Sequence, residues 1–296
     1  MPKIITEDMI EQAAIKALHE RHDYNVLNCM TEEPDTLPDG TGRKDKKQVV
    51  LPDVMFESLC RINPDIPEQT VRTVVDELCR TPVSGDLILT NYQNYQKIRN
   101  GITVEYNENG KKTSNIFRLL SYNDVLSNTF TVASQMWIKG ETHWRRPDLI
   151  IFINGFPMVF IELKNSNIPV KNAYDINLKN YLKDIPYLFN YNQICVLSNG
   201  METRLGSFAA GYEFFFEWLK VANEKENPDR KAIRENCTSL EYFIAGLCEP
   251  KNLLDYIENF ILYDRRRAKI IAKNHQFFGV NNAYDSFLRR EELKGK

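Results

Sequence analysis

Residues 146–164 read RPDLIIFINGFPMVFIELK, and this stretch decides the fold. It contains two apolar runs, Leu149–Ile153 and Met158–Ile161, on either side of Asn154-Gly155. An Asn-Gly pair between β-forming residues is a strong signal for a tight hairpin turn. The stretch therefore predicts an antiparallel hairpin at the centre of the protein.

Charged residues stand at both ends of this hairpin. Side chains alternate along a strand, so Glu162 and Lys164 are expected on one face and Leu163 on the other. With a three-residue loop at Asn154–Phe156, Asp148 falls opposite Glu162. A two- or four-residue loop would place Asp148 beside an apolar residue, so this register requires the three-residue loop or a bend at Asp148.

Two carboxylates and one ammonium at the open end of a buried hairpin have the composition of a metal site with a cation beside it. Two simpler interpretations stay open. Asp148 alone is typical of a solvated strand end, and a Glu–Lys pair two residues apart is often a surface ion pair of little energetic value. The run Val159–Ile161 favours the metal site, because it has the composition of a strand buried on both faces.

The rest of the chain predicts an α/β fold. A helix at 171–183 and a strand at 193–198 follow the hairpin, which is the arrangement of a right-handed crossover between parallel strands. Further predicted elements are helices at 7–21, 49–59, 69–78 and 253–262, strands at 103–106 and 116–120, and a half-buried strand at 130–139 with Gln135 on its polar face. We therefore expect a mixed β-sheet with flanking helices.

Pro147-Asp148, followed after thirteen residues by Glu162-Leu163-Lys164, resembles the active-site signature of the PD-(D/E)-x-K nuclease superfamily. The surrounding sequence resembles the N-terminal nuclease domain of the R (restriction and DNA-translocation) subunit of type I restriction–modification enzymes. This similarity runs from about residue 7 to the end of the chain. The segments that carry it are RRPDLIIFINGFPMVFIELKN, DIPYLFNYNQICVLSNG and TRLGSF.

The resemblance implies a restriction-endonuclease-like core that hydrolyses DNA phosphodiester bonds with Mg²⁺, for which Mn²⁺ can substitute. Asp148, Glu162 and the main-chain carbonyl of Leu163 would bind the metal ion. Lys164 would position the attacking water or stabilise the transition state as a fixed cation.

The resemblance also assigns a role to the predicted helix at 7–21. In the family, an acidic residue on the first helix reaches the metal site, and counting back from Leu18 matches that residue to Glu11. Glu7 is the second choice. Without the resemblance, Glu11 is typical of a solvated residue at the flank of an apolar helix face.

The family also carries a Gln-x-x-x-Tyr motif on the helix after the catalytic strand, where it contacts the site or DNA. Tyr181 matches the tyrosine, but Asn177 stands four residues before it, and its side chain is one methylene shorter than glutamine. Alignment on Ala173 instead puts Ile176 at that place and implies a one-residue insertion. An exposed helix residue and a packed aromatic are the simpler interpretation of this pair.

The net charge of the 296-residue chain is −2, so any DNA-binding surface must be local. Arg145 and Arg146 are placed to hold DNA phosphates, although a basic pair before a strand is as often simply hydrated. The polar, basic segment 31–47 predicts a mobile surface loop, whose charges could contact phosphate but in such a run are more often simply hydrated. Six cysteines without C-x-x-C spacing, and the absence of a secretory or membrane-spanning apolar segment, predict free thiols and a cytoplasmic protein.

We predict a nuclease domain at 1–247 and a helical C-terminal linker at 248–296. The linker resembles the family's lead-in to an ATP-dependent motor, where a glutamine matching Gln276 would approach the adenine of ATP. The chain contains no G-x-x-x-x-G-K-[ST] phosphate-binding loop. It is therefore expected to be a fragment that ends where the motor would begin.

The predicted function is the endonuclease domain of a type I restriction enzyme, which cleaves unmodified foreign double-stranded DNA. The resemblance implies two partners, a specificity subunit and a methyltransferase (modification) subunit that uses S-adenosylmethionine. One alternative is a non-catalytic DNA-binding or docking module with a vestigial site, which the Asn177 departure favours. Another is a stand-alone repair nuclease of the same superfamily.

Overall fold

The computed structural model describes residues 4–80, 85–108, 110–265 and 268–290. The end of the predicted linker, residues 291–296, lies outside this part. The strands of the described residues are β1 (Asn25–Asn28), β2 (Ile102–Glu108), β3 (Lys111–Phe117), β4 (Phe130–Ser134), β5 (Ile138–Lys139), β6 (Trp144–Arg145), β7 (Leu149–Ile153), β8 (Phe156–Leu163), β9 (Ile194–Ser198), β10 (Thr203–Gly206), β11 (Phe216–Glu217), β12 (Ile261–Asp264) and β13 (Ala268–Ile271).

The described residues also form ten α-helices, which are distributed along the chain. These are α1 (Glu7–His22), α2 (Pro52–Ile62), α3 (Glu68–Leu78), α4 (Leu87–Asn100), α5 (Val170–Asn172), α6 (Lys179–Asp184), α7 (Arg230–Asn236), α8 (Ser239–Leu247), α9 (Pro250–Asn259) and α10 (Asn274–Leu288). A π-helical turn, Ala173–Leu178, joins α5 to α6. Short 3₁₀ turns lie at Val125–Ser127, Pro186–Asn190 and Tyr212–Phe214.

Seven strands form one mixed sheet in the order β1-β4-β7-β8-β9-β10-β11. β4, β7 and β8 are antiparallel neighbours, whereas β8 and β9 pair in parallel across the crossover formed by α5 and α6. Every residue of β4, β7, β8 and β9 is buried, because helices and loops cover both faces of the sheet centre. The predicted α/β fold with a mixed sheet and flanking helices is confirmed.

The turn of the central hairpin has two residues, and not the three-residue loop that was one of two ways to bring Asp148 opposite Glu162. Ile153 pairs with Phe156, and Asn154 and Gly155 both have positive φ, at 51° and 80°. Two positive φ values are the mark of a type I′ turn, whose twist matches that of the strands it joins. The three-residue loop was therefore wrong, and the Asn-Gly signal itself accounts for the shorter turn.

A β-bulge restores the register that the shorter turn would have lost. Phe152 pairs with Pro157 and Ile151 pairs with Val159, which leaves Met158 without a partner across the hairpin. The extra residue shifts the pairing by one position towards the open end. Asp148 consequently comes opposite Glu162, as predicted, but through the bulge and not through the loop length.

The hairpin turn is buried, unlike most β-turns. The Asn154 side chain has no exposed surface: its Oδ1 accepts from the Thr129 main-chain N–H at 2.7 Å, and its Nδ2 donates to the Leu119 carbonyl at 3.0 Å. A Cβ on Gly155 would lie 2.5 Å from the Leu51 carbonyl oxygen. Glycine is therefore required by the positive φ and by the packing of the loop before α2.

The predicted strand at 130–139 ends earlier than expected. β4 stops at Ser134 because Gln135 has a φ of 55°, which turns the chain out of the extended conformation. The following residues form the separate two-stranded pair of β5 and β6. This break places Gln135 beside Asp148 instead of on the polar face of a longer strand.

The prediction of a hydrated basic loop at 31–47 was wrong for two of its cations. Arg43 and Lys46 both bind Asp39, at 2.5 Å and 2.7 Å, and the side chains of all three are at most 3% exposed. A buried carboxylate requires such partners, and the two cations hold the pKa of Asp39 at about 2 despite its burial. The segment is anchored, and these two cations are not available to DNA.

The C-terminal residues pack on the same core as the rest of the chain. Leu253, Tyr256 and Phe277 belong to the hydrophobic cluster that also contains Ile10 of α1. Between α9 and α10 lies the β12–β13 hairpin, which the sequence did not predict. The division at 247/248 stays a prediction. None of the helices formed by the described residues has the length and hydrophobicity needed to cross a bilayer.

Candidate active site

The end of the central hairpin brings the three predicted charged residues together. Lys164 Nζ lies 3.1 Å from Glu162 Oε1 and donates to the Leu163 carbonyl oxygen at 2.5 Å. Asp148 Oδ2 accepts from the main-chain N–H of Leu163 at 2.7 Å. Two carboxylates, one ammonium and one main-chain carbonyl therefore lie close together at one end of the central strands β7 and β8.

Both carboxyl groups hold protons more tightly than usual. Burial raises the pKa of Glu162 to about 8, and the negative charge of Asp148 adds to the effect, whereas Lys164 opposes it. Burial likewise raises the pKa of Asp148 to about 6, although the Leu163 N–H and Lys164 lower it. Ionising two buried acids next to each other costs free energy, and a bound cation lowers this cost.

One carboxylate oxygen of Glu162 is buried without a hydrogen-bond partner among the described residues. Glu162 is 2% exposed, and its Oε2 finds no hydrogen-bond donor within the described residues. The neighbouring Tyr181 hydroxyl donates its hydrogen bond to the Arg146 carbonyl, at 2.9 Å, and not to this oxygen of Glu162. An unpartnered buried carboxylate oxygen costs free energy unless something binds it, and Mg²⁺ prefers oxygen ligands of this kind.

The side chains alone do not form a ready-made metal cage. Across the described ranges, no group of three or more His, Cys, Asp and Glu side chains is arranged to hold an ion. The available donor set is Asp148, Glu162 and the Leu163 carbonyl, which leaves the remaining positions to water. This set fits a cation that keeps part of its hydration, as Mg²⁺ does.

Helix α1 adds two more acids to the site. Glu11 is 5% exposed, and its Oε2 accepts a hydrogen bond from Gln135 Nε2 at 2.5 Å. Burial raises the pKa of Glu11 to about 7, and Asp148 is among the charges that raise it further. Glu7 Oε1 lies 3.8 Å from Lys164 Nζ. Both predicted positions on the first helix therefore face the hairpin end.

The two arginines before β7 have different surroundings. Arg145 donates through Nε to Asp184 Oδ2 at 2.7 Å and makes a second bond to the same oxygen through its NH2 group. The guanidinium of Arg146 lies over the Trp137 ring, 4.9 Å from its centroid, and makes no ion pair within the described part of the chain. Arg146 is thus the better placed of the two to bind a phosphate.

The crossover helix contains a π-helical turn at the place where alignment on Ala173 would require a one-residue insertion. The π-helical turn Ala173–Leu178 widens the helix and takes up one extra residue per turn, which leaves Ile176 56% exposed and Asn177 half-buried. Tyr181 is 6% exposed and packs edge-on against Phe160 with ring centroids 5.2 Å apart. Contact of Asn177 or Tyr181 with DNA stays a prediction.

Gln276 lies in the first turn of α10. Its Oε1 accepts from the Lys273 main-chain N–H at 2.7 Å and so caps the helix. This structural role accounts for the residue in the present chain, and its contact with a nucleotide stays a prediction. Gln135, in contrast, was not foreseen as a site residue, because a polar residue on the outer face of a half-buried strand carries no sequence signal for a site.

Comparison with known proteins identifies relatives over most of the chain. The family model described as the type I restriction enzyme R protein N terminus matches residues 4–214. The type I restriction enzyme HindI endonuclease subunit of Haemophilus influenzae is 35% identical over 263 residues, which is 86% of this chain and 24% of that protein. A putative type I restriction enzyme endonuclease subunit, MjaIXP, of Methanocaldococcus jannaschii is 29% identical over 97% of this chain and 28% of its own length. The chain spans about a quarter of the length of these relatives.

Proposed function

We propose that this chain, which belongs to the family of type I restriction enzyme R protein N termini, is a Mg²⁺-dependent DNA endonuclease region. The relatives named as endonuclease subunits support this proposal. The observation that carries it is the buried Oε2 of Glu162, which has no hydrogen-bond partner in the described part of the chain and lies beside Asp148 and Lys164.

Asp148, Glu162 and the Leu163 carbonyl would hold the Mg²⁺ ion, with Glu11 close by. The bound ion would lower the pKa of a coordinated water and neutralise charge on the scissile phosphate. The burial of Glu162 suits this role, because a low dielectric strengthens its interaction with a divalent cation.

Lys164 would supply the fixed positive charge of the reaction. Its ammonium is held by Glu162 and the Leu163 carbonyl, and its side chain is 13% exposed, so it has little conformational freedom to lose. A preorganised cation of this kind orients the attacking water and stabilises the charge that develops on the phosphate. Arg146 would bind a neighbouring phosphate of the same strand and fix the position of the DNA.

Nothing in this set of groups recognises bases. We propose that the DNA sequence and its methylation state are recognised by specificity and modification subunits, the latter with S-adenosylmethionine. ATP-driven translocation would come from the remainder of a longer R protein. Under this proposal the chain supplies only the hydrolysis of double-stranded DNA.

Calorimetric titration of Mn²⁺ into the wild-type chain and into Asp148→Ala tests the proposal. We expect site-specific heat from the wild type and its loss in Asp148→Ala. Thermal unfolding of both proteins controls for folding. A folded wild type that gives no site-specific heat would contradict catalysis and would favour the alternative of a DNA-docking module with a vestigial site.

A further inference from the structure

Gln135 contacts two acids, Glu11 and Asp148, that lie far apart in the sequence. Its main-chain N–H donates to the Asp148 carbonyl at 3.1 Å, and its side-chain Nε2 donates to Glu11 Oε2 at 2.5 Å. One residue therefore links the segment before β7 to helix α1. Among the hydrogen bonds of the described residues, none joins Asp148, Glu162 or Lys164 to the Glu11 side chain.

The backbone of Gln135 adopts a conformation that its side chain disfavours. Its φ of 55° lies in the left-handed region, which glycine and asparagine occupy more readily than glutamine. Strained residues of this kind persist where the surrounding structure holds them, and they concentrate at functional sites. A glycine at this position would fit the backbone better, so the side chain is retained at a conformational cost.

The other contacts of α1 show what the Gln135 side chain adds. The N-terminal end of the helix is fixed to the segment after Lys164, because the Glu7 N–H donates to Asn165 Oδ1 at 2.8 Å and the Ile5 N–H donates to Ser166 Oγ at 2.9 Å. These bonds position the helix backbone. They leave the carboxylate of Glu11 free to rotate, and the amide of Gln135 fixes its direction.

We propose that Gln135 is a positioning residue that holds Glu11 and Asp148 in one cation-binding arrangement. This inference rests on the proposed function, since it assigns a task within the same site. The amide donates a hydrogen bond and cannot itself ionise, so it orients Glu11 without adding charge to a crowded acidic site. Outer groups that orient ligands in this way commonly change metal affinity by about 10–100-fold when they are removed.

The Gln135→Gly variant separates the side chain from the backbone. It removes the amide and accepts the positive φ, so we expect unchanged or higher resistance to thermal unfolding and Mn²⁺ binding about tenfold weaker in calorimetry. Gln135→Asn serves as a second variant, because asparagine tolerates the backbone but its amide is one methylene too short to reach Glu11. Equal Mn²⁺ affinity in the wild type and in both variants would overturn the proposal.

A double-mutant cycle with Glu11→Gln distinguishes positioning from a general structural effect. If Gln135 acts through Glu11, then Gln135→Gly costs little further affinity once Glu11 is replaced. Additive losses would show that the two residues act separately and would reject the inference.

A metal-free readout keeps this test independent of the proposed function. In a crystal structure of the metal-free Gln135→Gly variant, we expect the Glu11 carboxylate to leave its position beside Asp148. An unchanged Glu11 side chain would refute the positioning role whether or not the wild type binds Mn²⁺. Absence of Mn²⁺ binding in the wild type, with Glu11 displaced in the variant, would refute only the proposed function.

Discussion

Oδ2 of Asp148 accepts a hydrogen bond from the main-chain N–H of Leu163 at 2.7 Å, so the acid before one strand is tied to the end of its neighbour. The same residue offers its main-chain carbonyl to Gln135. Asp148 thus joins three segments of the chain, since its carboxylate oxygen and its main-chain carbonyl each accept a hydrogen bond from a main-chain N–H. Its negative charge is not needed for these bonds and is available for another purpose.

The first prediction separates the shape of Asp148 from its charge. Asp148→Asn keeps an oxygen that can accept from Leu163 but loses the carboxylate, so we expect Mn²⁺ binding to be abolished. Because burial raises the pKa of Asp148 to about 6, its ionised form destabilises the metal-free protein at neutral pH. Urea denaturation at about pH 8 should therefore show Asp148→Asn to be more stable than the wild type by about 1–2 kcal/mol.

The control for this prediction is Asp148→Ala, which loses the hydrogen bond as well as the charge. It should be less stable than Asp148→Asn. If the asparagine variant bound Mn²⁺ as tightly as the wild type, Asp148 would not be a ligand.

The second prediction concerns the pH dependence of the metal-free protein. The pKa values of Asp148, Glu11 and Glu162 are raised to about 6, 7 and 8 in the folded state. Between about pH 4 and pH 8 the folded state therefore binds more protons than the unfolded state, and the free energy of unfolding falls as pH rises. We expect a loss of a few kcal/mol across this window in chemical denaturation.

Added Mg²⁺ should restore stability most strongly at the alkaline end, because the ion binds the deprotonated acids. Glu162→Gln is the matched control and should flatten the upper part of the profile. A wild-type stability that rises steadily from pH 4 to pH 8 would be incompatible with three protonated acids in the fold.

The third prediction distinguishes the proposed role of Lys164, a fixed cation in the reaction, from the proposed role of the acids, which is to bind the metal ion. Lys164→Met removes an ammonium that lies 3.1 Å from Glu162, so competition with a divalent ion is lost and Mn²⁺ affinity should be equal or higher. DNA cleavage by a complete R subunit assembled with its partners should nevertheless fall by about 10²–10³-fold, since the fixed charge near the phosphate is gone. Lys164→Arg keeps a charge with different geometry and should recover only part of the rate.

Measuring Mn²⁺ affinity and DNA cleavage for the same variants decides whether Lys164 acts in the reaction or in the structure of the site. A Lys164→Met protein that lost both together would place the lysine in the structure of the site and not in the chemistry.

The central hairpin was predictable from sequence because its signal is local. Two apolar runs and Asn154-Gly155 determine a turn within a few residues, and strand alternation then places Glu162 and Lys164 on one side. The bulge at Met158 carries no such signal, since a methionine among apolar residues is bulged only by the packing around it. The pairing of Asp148 with Glu162 was therefore predicted through the wrong turn.

Polar residues that are buried by distant parts of the chain escaped prediction for the same reason. Arg43 and Lys46 read as a hydrated charge run, yet both are buried against Asp39. Gln135 read as the outer face of a strand, yet it bonds Glu11 across 124 positions of sequence. Local pattern gives the periodicity of a segment but not the partners that tertiary packing brings to it.

The fourth prediction concerns Lys269, a buried cation in β13. It is 3% exposed, donates to the Asn192 carbonyl at 2.5 Å and to Gln193 Oε1 at 3.1 Å, and has no carboxylate partner within the described residues. Burial lowers its pKa to about 7. Between about pH 7 and pH 10 the unfolded state therefore binds the extra proton, so the contribution of Lys269 to the stability should rise with pH, against the fall that Glu162 causes up to about pH 8.

Lys269→Met keeps the length of the side chain and removes the ionisable group. We expect the rise above about pH 7 to disappear and the variant to be more stable than the wild type near pH 7, by roughly 1–3 kcal/mol. Guanidinium denaturation at several pH values measures both effects. The same alkaline slope in both proteins would assign the titration to another group.

The fifth prediction ranks the two arginines before β7. Arg146 lies on Trp137 and forms no ion pair with any residue that the structure describes, whereas Arg145 is bound to Asp184, whose side chain is 4% exposed. Arg146→Ala should therefore weaken double-stranded DNA binding and reduce the slope of log affinity against log salt by about 1, as expected for one lost phosphate contact. Arg145→Ala should leave that slope nearly unchanged and instead lower the thermal stability, because it removes the partner that lowers the pKa of Asp184. Fluorescence anisotropy over a range of salt concentrations measures the change in DNA binding, and unfolding curves for both variants measure the change in stability. If either substitution reduced the salt slope equally, Arg145 would have to leave Asp184 to bind DNA.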